Sequence, residues 1–253
     1  MSRMKQGGAA LDDAGPATAV PRRRRLVRVV AGVLADAKNR VLLAQRPEGK
    51  HLAGGWEFPG GKTEPGETRF ETLARELDEE LGIEVTAARP LICVRHQYTV
   101  REILLDVWVV TEYRGEPAGL DGQALRWCPR AELAVAKLLP ADQPIVTALR
   151  LPERISQSAT ADYAIGDLAI LVASIAEPGA AHGARLHGVL IDGPQEALIA
   201  AAAGADFLVL RKSLDAAELA ALCASVQVPV FARGLALEEA WSAGAIGVSE
   251  LAS

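Results

Sequence analysis

Apolar positions along the chain change period as it is read from the N-terminus. Leu26–Ala35 (LVRVVAGVLA) and Arg40–Gln45 (RVLLAQ) are β-branched, apolar runs that predict two strands, and Asp36–Asn39 between them predicts a hairpin turn. From Glu67 to Leu81 the period becomes helical. Leu73, Leu77 and Leu81 fall on one stripe, and Glu76, Glu79 and Glu80 share another. Strands are predicted again at Pro90–His96, Ile103–Tyr113 and Leu125–Cys128; the middle one, with ILLDVWVV, is almost continuously apolar and therefore buried. A short helix follows from Pro129, and Pro144 can start a last one. Mixed strands with helices on either face predict an α/β/α sandwich over residues 24–150.

The second half has a different rhythm. Residues 151–162 (LPERISQSATAD) are polar with an early proline, the composition of a linker. Over residues 163–253, HGVLID, ADFLVL, VPVFARG and AIGVSEL alternate with alanine-rich helical stretches, which predicts right-handed βαβ units and a parallel sheet. Eight β/α units need roughly 200 residues or more, so a shortened or open, partial TIM-barrel-like layer is expected. Residues 1–23 lack periodicity and read as a disordered leader. The Arg22–Arg25 run at its end is a solvated edge or a phosphate contact.

The acidic stripe changes the picture from fold to chemistry. Three carboxylates within one helical turn repel one another unless a cation neutralises them, and oxygen-only donors suit a hard divalent ion such as Mg2+, with Mn2+ as substitute. Gly60, Gly61 and Gly66, with Pro59 and Pro65, allow tight turns before the helix. Glu67 could reach back toward the cluster, and Arg75 could pair with a glutamate and fix its rotamer. Arg46 and His51 stand in the loop returning to the glycine turn and are candidates for substrate contact, as is Lys62. Trp56 and Phe58 are expected as wall or core residues.

Composition sets broad limits. At 253 residues, 50% hydrophobic and 23% charged, the chain is long enough for two globular domains. A net charge of -5 gives no global attraction to nucleic acid. Three distant cysteines indicate neither a disulfide framework nor a zinc site, which suits a reducing cytoplasm. No stretch is apolar enough to predict a membrane span.

Written as a pattern, Gly61–Ile83 is G-x5-E-x7-R-E-L-x-E-E-x-G-I, and it resembles the complete Nudix box. The resemblance extends over about Arg24–Arg150, through VAGVL, LLAQRPEGKHLAGGWEFPGGK, the stretch around DGQALRW, and LPADQP. It is closest to the MutT branch, which hydrolyses oxidised purine nucleoside triphosphates such as 8-oxo-dGTP. It implies a metal site from Gly60, Gly61, Glu76, Glu79 and Glu80, with Asp121 as a further acidic group. Nucleotide contacts at Arg46 and Phe58 and release of pyrophosphate are also implied. The box alone leaves open whether Glu76 is ligand or base, and whether Glu67 is orienter or base.

Where that branch has Asn in the turn that reads the purine edge, this chain has Asp142, so base preference is an open question. Asp142 either reads the base, which for 8-oxoguanine requires a donating base or a raised pKa, or caps the helix after it. GADFLVL, VPVFARG and AGAIGVSEL resemble the closing strands of thiamine monophosphate synthase and its TenI-like relatives. The glycine pair expected to cradle phosphate is Ala232-Arg233-Gly234 here, so a structural, oligomerising or ligand-sensing module is expected rather than a synthase. Arg211 and Lys212, after FLVL, are read as surface residues or an anion contact. The partners expected are a small-molecule nucleotide and, through the second module, further copies of the chain, with no stable nucleic-acid complex. The alternatives are a hydrolase of another nucleoside diphosphate-linked substrate, a metabolite-sensing regulator, and a bifunctional role in thiamine metabolism.

Overall fold

The computed structural model describes residues 25–49, 52–99, 101–169 and 185–251. The predicted leader, most of the Arg22–Arg25 run and the substrate candidate His51 lie outside the described residues.

The first half is built from two sheets. β1 (Arg25–Val33), β4 (Gly60–Lys62), β5 (Glu84–Gln97) and β6 (Arg101–Arg114) form a mixed sheet in the order β4-β1-β6-β5. Its β1 and β6 are parallel, and its outer pairs are antiparallel. β2 (Arg40–Gln45), β3 (Trp56–Glu57) and β7 (Leu125–Pro129) form an antiparallel sheet in the order β3-β2-β7. The predicted Asp36–Asn39 turn forms, closed by the Asn39 amide on the Asp36 carbonyl at 2.8 Å, but past the isolated Ala35–Val41 bridge the two strands part into different sheets instead of pairing as a hairpin.

Helix α1 spans Arg69–Leu81 and so starts two residues later than the leucine spacing predicts. Thr68 takes the N-cap position, its hydroxyl accepting from the Glu71 amide while Glu71 returns a bond to the Thr68 amide. That reciprocal pair satisfies two otherwise orphan donors, so Glu67 stays outside the helix. Leu73, Leu77 and Leu81 are buried against Val30, Leu34, Leu42 and Val110. The predicted last helix is α2 (Gln143–Arg150), preceded by a single 3-10 turn at Pro140–Asp142.

The second half forms a six-stranded, wholly parallel sheet in the order β8-β13-β12-β11-β10-β9. Its strands are β8 (Arg154–Ile155), β9 (Tyr163–Asp167), β10 (Leu186–Ile191), β11 (Phe207–Leu210), β12 (Val230–Arg233) and β13 (Gly247–Ser249). Helices α3 (Pro194–Ala202), α4 (Ala216–Ser225) and α5 (Leu237–Ser242) join successive strands from β10 to β13. Within the stretch expected as a linker, Arg154–Ile155 enter this sheet beside β13.

One apolar cluster crosses from half to half, running from Val33, Val107 and Ile145 to Ile155, Phe207 and Phe231. The ring of Phe207 meets Tyr163 and Phe231 edge-on at 5.8 and 5.7 Å. On β5, Arg89 pairs with Glu153 and lies 4.4 Å over the Trp241 ring of α5. Arg211, just past β11, is paired with Asp167, and Lys212 with Asp192 at 3.2 Å, so neither cation is a bare anion site. Among the described residues, no helix is long and apolar enough to cross a membrane.

Candidate active site

The glycine turn is brought to α1 by register. Gly60 and Gly61 pair with Ala31 and Val30 of β1, while α1 packs across the same sheet. Gly60 has φ +145, and a Cβ there would lie 2.1 Å from the Val30 carbonyl oxygen. A Cβ on Gly61 would lie 2.1 Å from Glu76 Oε2. The two glycines therefore let the backbone approach β1 on one side and a carboxylate on the other.

Arg75 organises the acidic stripe. Its Nε donates to Glu67 Oε1 at 2.6 Å, Nη2 to Glu67 Oε2 at 3.0 Å, and Nη1 to Glu76 at 3.1 Å and Glu79 at 3.3 Å. Glu67 also accepts from the Glu64 amide and the Thr72 hydroxyl, each at 2.9 Å. These bonds, those from Arg75 foremost, hold its carboxyl down at about 2. The guanidinium is itself pushed up by Glu67 despite burial, so it stays charged.

Glu80 turns the other way. Burial pushes its carboxyl up to about 7, opposed by a bond from the Gly60 amide at 3.1 Å and reinforced by Glu76, Glu57 and Asp121. Glu76 is also raised, by burial first, with Arg75 pulling it back. The glutamate stripe is thus split. Glu76 and Glu80 are partly buried, whereas the Glu79 side chain is 58% exposed. Among the described residues, no three Asp, Glu, His or Cys side chains already surround one point as a metal shell. The donor set fits a hard cation chemically: the groups are carboxylates, and two of them are burdened by burial and by the charge of neighbouring carboxylates.

A cavity of about 410 Å3 joins these residues to the far wall of the sheet. Gly60, Gly61, Lys62, Glu76, Glu79 and Glu80 line it together with Asp121. Arg46, Phe58 and Asp142 line it as well, so the predicted site residues that lie among the described ones meet there, save Glu67 and Arg75, which stand behind the carboxylates. Asp142 is 4% exposed and stands at the N-cap position of α2, as the capping alternative expects, but its side chain makes no cap bond there. Its carboxyl is pushed well above the ordinary range by burial first and by Glu57 second, with Arg46 opposing.

Three cavity residues with polar side chains escape the sequence reading: Glu57, Tyr98 and Arg101. Glu57 accepts from Arg46 Nη1 at 2.5 Å and adds to the charge around Glu80 and Asp142. Its signal was a single acid set between Trp56 and Phe58, just before the glycine turn. Arg101 lies 5.6 Å over the Tyr98 ring at the β5–β6 connection, where nothing in the local pattern marks a site.

Residues 30–148 match the family described as NUDIX domain. A protein of Escherichia coli (strain K12) named CTP pyrophosphohydrolase is 40% identical over 124 residues, covering 49% of this chain and 91% of that protein. The 8-oxo-dGTP diphosphatase of Proteus vulgaris is 45% identical over 93 residues, 37% of this chain and 83% of that protein. The enzyme of the same name from Escherichia coli (strain K12) is 32% identical over 124 residues, covering 49% and 96%. The matched stretch, which contains the glutamate-bearing helix and its glycine turn, thus covers 83–96% of these relatives' own length. The chain belongs to the Nudix family and is a Nudix hydrolase acting on phosphorus anhydrides.

Proposed function

We propose that the chain is a magnesium-dependent nucleoside triphosphate pyrophosphohydrolase that converts 8-oxo-dGTP to the monophosphate and pyrophosphate, sanitising the nucleotide pool. The observation that carries this reading is the shared cavity, which unites the carboxylates with a deeply buried Asp142 of raised pKa. A neutral carboxyl offers one donor and one acceptor side by side. Ordinary guanine presents two acceptors, O6 and N7. Oxidation at C8 turns N7 into an N–H donor beside O6, the pattern that a protonated Asp142 complements.

Glu76, Glu79 and Glu80, with Asp121 and the Gly60 backbone, are the groups that would hold Mg2+, or Mn2+ in its place. When bound, the cation supplies charge neutralisation along the phosphate chain and to the attacking water. Lys62 and Arg46 contribute positive charge for the phosphates, and Phe58 an apolar wall for the base. Glu67 acts as an orienter and not as the base, because Arg75, Glu64 and Thr72 occupy both its oxygens. Glu76 serves either as a metal ligand or as the base. The unit over residues 163–253 serves as a structural or ligand-sensing module.

The name of the Escherichia coli relative favours a second reading, CTP as substrate. Cytosine also sets an acceptor, N3, beside an N4 donor. A panel of 8-oxo-dGTP, dGTP, CTP and UTP with Mg2+ separates the two. The first reading requires kcat/KM for 8-oxo-dGTP at least tenfold above dGTP and above CTP; a CTP maximum establishes the second; no hydrolysis of any member contradicts both.

A further inference from the structure

The loop after β6, from Gly115 to Ala124, seals the C-terminal end of α1. The amide of Ala118 donates to the Leu81 carbonyl and that of Leu120 to the Glu80 carbonyl, each at 3.0 Å. Gln123 adds the side-chain bond of this seal: its Nε2 donates to the same Glu80 carbonyl at 2.9 Å. The last-turn carbonyls of a helix have no partners within it, so this loop supplies them. The loop also carries Asp121, whose charge reaches the Glu80 carboxyl.

A second observation concerns the other end of the amide. Gln123 Oε1 is buried with no hydrogen-bond partner among the described residues. The side chain lines a cavity of about 20 Å3 shared with Glu57, Gly60, Glu80 and Asp121. A buried acceptor left bare is destabilising, and Leu120 already satisfies the Glu80 carbonyl, so helix capping alone does not account for the residue. Glu57 and Glu80 reach this cavity from two different elements, and the amides of Gln45 and Gln123 line it with them.

We propose that Gln123 is a positioning residue for the metal-binding carboxylates: it ties the Asp121 loop to the backbone of Glu80, fixing the separation of the two acids. The inference rests on the reading of these acids as the cation site. It assigns no contact between Gln123 and substrate.

The test is Mn2+ binding to the full-length chain without nucleotide, followed by electron paramagnetic resonance. Gln123→Met keeps the length and removes both the donor and the acceptor; Gln123→Asn keeps the amide but falls short of the Glu80 carbonyl. Outer-shell partners typically change metal affinity 10- to 100-fold. The dissociation constant should rise about tenfold in both variants, while KM for nucleotide at saturating metal changes less than twofold. A metal affinity within twofold of the parent in either folded variant overturns the proposal, as does recovery of full affinity in Gln123→Asn alone. If the parent chain binds Mn2+ but hydrolyses no nucleotide, the functional reading fails and the role of Gln123 is still decided. If Glu80→Gln leaves Mn2+ binding intact, the site assignment beneath both fails.

Discussion

The guanidinium of Arg75 meets Glu67 through two bonds, 2.6 Å from Nε and 3.0 Å from Nη2, while its Nη1 reaches Glu76 and Glu79. One planar cation therefore spaces three carboxylates, two on α1 and one in the turn before it. A lysine presents a point charge and cannot reproduce the fork. Arg75→Lys is expected to lower kcat/KM by about 10- to 100-fold while the melting midpoint stays within a few degrees. Steady-state kinetics beside thermal melting checks this.

Glu80 gives a prediction with a definite sign. Its folded carboxyl titrates near 7, above its ordinary value of 4.5. The folded state therefore binds the extra proton between those values, and its contribution to stability, complete below pH 4.5, is lost as pH rises through 7. Without metal, Glu80→Gln should stabilise the chain relative to the parent at pH 8 by about 1–2 kcal/mol, after discounting for solvent screening. At pH 4.5 that advantage should vanish. Chemical denaturation at the two pH values measures the difference.

Asp142 gives a prediction that ties pH to base choice. Burial raises its pKa, so the neutral acid persists into a range where an exposed aspartate is fully ionised. Preference for 8-oxo-dGTP over dGTP should decline as pH rises through that transition. Asp142→Asn, whose amide keeps a donor and an acceptor at all pH values, should hold its preference flat. The ratio of kcat/KM values across pH is the measurement; parallel profiles for parent and variant would exclude the carboxyl from base reading.

The glycine turn permits a steric test. A methyl group at Gly61 falls on the Glu76 carboxylate, and one at Gly60 falls on the backbone of Val30. Gly61→Ala should leave the fold largely intact, since a side chain can move, and reduce turnover by displacing Glu76. Gly60→Ala, where backbone must give way at positive φ, should also destabilise the chain by roughly 1–3 kcal/mol. Circular dichroism melting with activity assays distinguishes the two.

Much of this was legible in the sequence because local chemistry fixes it. The leucine spacing of α1, the turn at Asp36–Asn39 and the glycine turn each follow from neighbouring residues. The helix start was misplaced by two residues because the apolar stripe ignores capping, and the Thr68–Glu71 pair decides where the backbone begins to turn. Glu57 and Arg101 were missed for a different reason. They join the site through strand register and loop return, which bring distant segments together with little or no mark in the local pattern, a lone acid between Trp56 and Phe58 for Glu57 and none for Arg101. The split of the glutamate stripe, with Glu80 partly buried and the Glu79 side chain 58% exposed, likewise depends on how α1 sits against the glycine turn.

The central claim is that these carboxylates sustain metal-dependent cleavage of a phosphate anhydride. The most direct measurement is pyrophosphate release from 8-oxo-dGTP at saturating Mg2+ by the parent chain and Glu79→Gln, with folding checked by circular dichroism. Glu79 is exposed enough to be replaced without disturbing the core. The account predicts Mg2+-dependent release by the parent and loss of most of it in a variant that remains folded. Near-parental release by folded Glu79→Gln, or equal release with Mg2+ removed by chelation, would contradict it.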